Sequence, residues 1–110
     1  MFIAMNRFKV LKDQEDAFEQ VWLSRETRLR ERKGFLEFQM LRGPAMTDGT
    51  KLYSSYTRWA SEGDFEDWTK SEQFRAAHRS AEDRRPMTSG HPQFEGFEVI
   101  QHLDAGQPAA

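Results

Sequence analysis

The chain alternates segments of period two with segments of period 3.6, in the order strand, helix, strand, strand, helix, strand, and few folds accept that order. "FIAMNRFKV" (Phe2 to Val10) reads as a strand in which Phe2, Ala4, Asn6, Phe8 and Val10 share one face. "KDQED" starts a helix, with Asp13 as N-cap and Asp16 three residues on, where a carboxylate suits the positive helix end. Phe18, Val21, Trp22 and Leu29 fall on one side of that helix, and Arg25, Arg28, Arg30, Glu31 and Arg32 on the others. Lys33-Gly34 ends it, with Gly34 as a left-handed cap.

"FLEFQML" is the second strand, bounded by "RGP" at Arg42 to Pro44, and "TDG" at Thr47 to Gly49 continues the turn into a third, "KLYSSYTRW". "SEGD" (Ser61 to Asp64) resembles a capping box and opens a helix carrying Phe65 and Trp68. Ser71 caps a further helical segment reaching Arg84. "RRPMTSGHPQ" is a loop, "FEGFEVIQHL" the fourth strand, and residues 105–110 a frayed tail after one domain spanning 1–104.

Right-handed connections turn this order into an α+β ferredoxin-like fold, βαββαβ, with an antiparallel sheet and both helices on one face. No helix remains for the other face, so a second copy is expected there, sheet against sheet, as a homodimeric α+β barrel. A chain of 110 residues is one domain, small enough to gain from such a partner.

Acids and bases are interspersed and the formal net charge is −2, with no basic stripe of the kind nucleic acid needs. No apolar run approaches a membrane span, and "MFIAMNRF" is too short for a signal peptide. There is no cysteine, which excludes disulfides, thiolate nucleophiles and iron–sulfur ligation, and suits a cytoplasmic location. Zinc-ligand spacing, a nucleophile elbow and a phosphate-binding glycine loop are all missing from the sequence.

Two residues stand out against their neighbours. Asn6 is an amide on an apolar strand face, which costs energy unless it is hydrogen-bonded. It either satisfies a backbone group or points into a pocket and donates to a ligand. His78 shares a helical face with Phe74, Ala77 and Ala81, and the alanines leave room for a flat ligand beside the imidazole. The alternative is a core histidine bonded to a carbonyl. Trp68 lies ten residues before His78, close to three helical turns, and as a lone tryptophan it is core or interface volume. His91 and His102 have no assignable role. Arg25 is retained as a partner for a carboxylate.

Asn6 in a first strand, "GFLEFQMLRG" (Gly34 to Gly43) and "FEDWTKSEQFRAAHRS" (Phe65 to Ser80) together resemble the IsdG-type haem-degrading monooxygenases of the antibiotic-biosynthesis-monooxygenase superfamily. "LYSSYTRW" and "HPQFEGFEVI" resemble the branch found with proteobacterial haem-uptake systems. The resemblance implies that His78 ligates the haem iron, that Asn6 hydrogen-bonds on the distal side, and that Trp68 presses on the porphyrin. It also implies that Arg25 lies near the propionates and that Phe74 borders the haem. Haem would be both substrate and cofactor, opened by O2 and electrons from an external donor such as a reductase to a linear tetrapyrrole and free iron. Three rival readings are a cofactor-independent quinol or polyphenol monooxygenase, a non-catalytic haem-binding protein, and a stress-related dimeric barrel with no haem affinity.

Overall fold

The structure is a computed structural model that describes residues 1–25, 28–71, 74 and 87–106. Its elements are β1 (Phe2–Val10), α1 (Glu15–Leu23), β2 (Phe35–Ala45), β3 (Lys51–Trp59), α2 (Glu62–Thr69) and β4 (Gln93–Glu98). The strands form one sheet in the order β2-β3-β1-β4, with every neighbouring pair antiparallel. This is the ferredoxin-like α+β arrangement expected from the element order.

Both helices lie on the sheet face that carries Phe2, Ala4, Phe8 and Val10. Phe18 of α1 meets Phe8 and Tyr53, with ring centroids 5.3 and 5.0 Å apart. Phe65 of α2 meets Phe2 at 5.5 Å and Trp59 at 6.0 Å. The core therefore divides into two clusters. One holds Phe2, Ala4, Leu29, Trp59 and Trp68, the other Val10, Phe18 and Tyr53. Each buried large apolar side chain contributes roughly 1.5–3 kcal/mol.

Gly34 ties the two halves of the fold together. Its φ is +81°, and a Cβ there would sit 2.1 Å from Asp64 Oδ2 at the start of α2. Its carbonyl accepts from the Ala60 N–H at 2.7 Å. Only glycine meets both demands. Ser61 caps α2 as expected, its hydroxyl accepting from the Asp64 N–H at 3.1 Å.

Four boundaries differ from the expected ones. Asp13 is not a cap: it adopts the left-handed conformation (φ 70°), and α1 starts after Gln14. The same helix stops at Leu23 instead of running to Lys33. Arg28 is left-handed (φ 55°), and a short 3-10 turn, Leu29–Glu31, follows. Leu29 consequently joins the α2-side cluster rather than extending the Phe18 stripe. "RGP" does not bound β2 but lies within it, where the register against β3 shifts between Arg42 and Ala45. β4 ends at Glu98 rather than Leu103, because it is an edge strand paired only with β1, which begins at Phe2. The Val99 N–H makes the last bond of that edge, to the Met1 carbonyl at 2.9 Å. His102 therefore lies beyond the strand, exposed, and His91 is exposed in the loop before it.

The opposite sheet face carries half-buried Ile3, Met5 and Tyr56. It is crossed by polar links: Arg58 Nε lies 3.3 Å from Glu37 Oε2, and Arg7 Nε lies 3.7 Å from Glu95. No described helix is long and apolar enough to cross a membrane.

Candidate functional site

The centre of the helix-side face is polar. Asn6 stands mid-strand in β1, in register with Ser55 of β3 on one side and Phe94 of β4 on the other. Met40 of β2 continues the row beyond Ser55. One step along the sheet, towards α2, begins the Phe2–Trp59–Trp68 cluster; one step the other way, towards α1, begins the Phe18–Tyr53 cluster. Asn6 is half-buried between them, and its side chain makes no hydrogen bond among the described residues. No backbone group among the described residues bonds it.

Aromatic rings wall this strip. Phe94 is half exposed and stacks on Phe65 at 5.5 Å with planes 6° apart. Gly96 permits this packing, since a Cβ there would lie 2.7 Å from the Phe2 ring. Trp68 is buried, stacked on Trp59 at 6.4 Å and edge-on to Phe74 at 5.5 Å. Ser71 fixes that geometry by donating to the Trp68 carbonyl at 2.7 Å and accepting from the Phe74 N–H at 3.1 Å, the capping role expected of it. Trp68 thus fills core volume. His78, Ala77 and Ala81 lie outside the described residues.

Arg25 approaches from the β2 side. Its guanidinium carbon sits 4.2 Å from the centroid of Trp22, whose ring in turn stacks on Phe38 at 6.1 Å. Arg25, Arg28, Phe35 and Phe38 border an open pocket of about 760 Å³ that Glu31 and Glu37 also line, with Arg28 Nη1 3.9 Å from Glu31 Oε2. Arginine beside apolar rings suits an apolar ligand bearing carboxylates, which would compete with Glu31 for Arg28.

A second polar group was not anticipated from the sequence. Glu19 receives two bonds from Arg42, at 2.9 and 2.6 Å, and one from the Tyr53 hydroxyl at 2.5 Å. The Arg42 bonds, with Tyr53 next, hold the Glu19 carboxyl down at about 2. Burial, and then the Glu19 carboxylate, push the Tyr53 hydroxyl up. The only sequence clue was Tyr53 itself, a hydroxyl on a buried strand face that needs a partner. Because the Glu19 value is depressed on folding, its contribution to stability is present above about 4.5 and is lost as pH falls towards 2. The urea midpoint of wild type minus that of Glu19→Gln is therefore expected to shrink steadily between pH 5 and pH 2.5. A constant difference would contradict the pairing.

The profile of the antibiotic biosynthesis monooxygenase family matches residues 1–80. The chain belongs to that family. Solved structures agree on the fold. A Bacillus cereus protein assigned as an antibiotic biosynthesis monooxygenase is 19% identical, with a TM-score of 0.75 over 97% of this chain and 98% of that one. The heme-degrader MhuD from Mycobacterium tuberculosis, with two hemes bound in its active site, is 24% identical, with a TM-score of 0.70 over 94% and 100%. SnoaB from Streptomyces nogalater, a cofactor-independent oxygenase, is 19% identical, with a TM-score of 0.67 over 93% and 95%. No curated protein sequence matches the chain. These neighbours share the fold and are divided in their use of haem, so the residues of the site must distinguish the two uses.

Proposed function

We propose that this family member is a haem-degrading monooxygenase. The observation that carries the reading is the Asn6 amide, without a bond among the described residues and half-buried between two aromatic clusters on the helix-side face. A flat apolar ligand with a polar centre fits rings at either end and a hydrogen-bond donor between them. The arginine-bordered cavity beside Trp22 and Phe38 adds a place for peripheral carboxylates. The sequence resemblance supplies the remaining element, His78 as the iron ligand, and MhuD supports the substrate class by its bound hemes.

When bound, haem supplies the iron that activates O2, with electrons from a reductase. The protein's part is to bind, orient and exclude water. His78 would hold the iron through a neutral imidazole nitrogen. The Asn6 NH2, carried on a strand rather than a loop, would donate a hydrogen bond to oxygen on the bound ligand. Trp68, held by Trp59 and Phe74, bears on the macrocycle. Arg25 would pair with the propionates. The open sheet face, with Ile3, Met5 and Tyr56, seats a second copy, and the enzyme works in the cytoplasm.

The second reading is a quinol or polyphenol oxygenase without a cofactor, favoured by SnoaB. Aerobic turnover separates them. With hemin, ascorbate and catalase, haem degradation predicts Soret bleaching, a bilin band and release of chelatable iron. A Soret band that persists under every reductant would indicate a carrier. Oxidation of a quinol by haem-free protein, with hemin left unchanged, would establish the second reading.

A further inference from the structure

We infer that Ser55 is a second polar group of the site, and that its hydroxyl and the Asn6 amide jointly hold one oxygen atom. In the free protein that atom belongs to water. In the complex it belongs to the ligand or to O2, and this second part rests on the haem reading above.

The inner face of β3 presents three hydroxyls in succession, on Tyr53, Ser55 and Thr57. Tyr53 donates to Glu19 at 2.5 Å, and Thr57 donates to the Ala4 carbonyl at 3.3 Å. The Ser55 hydroxyl has no hydrogen bond among the described residues, although the residue is only 7% exposed. Its neighbour Ser54, on the other face, does bond locally, to the Ser55 carbonyl at 3.3 Å. A hydroxyl on a residue this buried needs a partner, and the described residues supply none. The in-register partner of Ser55 is Asn6, which is unbonded in the same way. Two polar groups without a partner among the described residues, in register on the same sheet face, make a two-point site for a small oxygen species. Serine also keeps that space open, where a valine or leucine would fill the room in front of the amide.

The test combines a high-resolution crystal structure of the ligand-free protein with a double-mutant cycle. The structure is expected to show an ordered water within hydrogen-bond distance of both Ser55 Oγ and the Asn6 side chain, and Ser55→Ala is expected to lose it. Ser55→Ala should bind hemin within about threefold of wild type and turn over roughly three- to tenfold more slowly. In an Asn6→Ala background it should add little, because both groups act on one atom. The inference is overturned if Ser55 Oγ is found bonded to a protein group, or if the two substitutions multiply as independent losses. Should the wild type fail to bind hemin, the haem reading falls, and the shared water alone decides the role of Ser55.

Discussion

Asn6→Ala is expected to bind hemin with near wild-type affinity and to lose about a hundredfold in ring-opening rate. Binding survives because the apolar contacts come from rings on both sides of Asn6, not from the amide. Turnover falls because a pre-aligned donor is worth more where charge develops than in the ground state. The β1 strand itself should be unharmed. Asn6 makes no side-chain bond to the described residues, and alanine already occupies Ala4 two positions earlier on the same face. Stability measured in urea should therefore be unchanged or slightly increased, since an unbonded amide is removed. Wild-type turnover in Asn6→Ala would remove the residue from the mechanism, and loss of folding would show that it has a structural partner.

Trp59→Ala is expected to destabilise the fold by roughly 3–5 kcal/mol, a large share of the stability of a domain this size. Trp59 is fully buried and touches both halves of the α2-side cluster, with Phe35 edge-on at 5.6 Å and Trp68 stacked at 6.4 Å. Its removal also frees Trp68, so any protein that still folds should change its product ratio or rate. Trp59→Phe separates volume from polarity. The indole N–H of Trp59 is buried with no acceptor among the described residues. Losing it sacrifices no hydrogen bond, and the cost should stay near 1 kcal/mol. A phenylalanine variant as unstable as the alanine variant would mean that the N–H has an acceptor after all. Thermal unfolding of both variants beside wild type measures the difference.

The parts of the fold that could be read from the sequence are those governed by local alternation. β1 and β3 begin and end where their period-two pattern does, and Ser61 announces α2 by its capping chemistry. The misplaced boundaries have non-local or unmarked causes. Asp13 and Arg28 take left-handed conformations without the glycine that usually signals them, so α1 looked longer than it is. β4 is cut short by the end of its only partner, which no residue in β4 itself reveals. The site divides in the same way. Asn6 was conspicuous as an amide among apolar residues. Ser55 and Phe94 were not, because their importance comes from register across three strands. Glu19 looked like one more charge on a helix until Arg42 and Tyr53 converged on it.

The most direct test of the central claim is a hemin titration of apo wild type and His78→Ala, followed at the Soret band. The account predicts a saturable red-shifted band for wild type and its loss, or replacement by a weak unligated spectrum, in His78→Ala. No saturable shift in wild type, or an identical band in the variant, would contradict it.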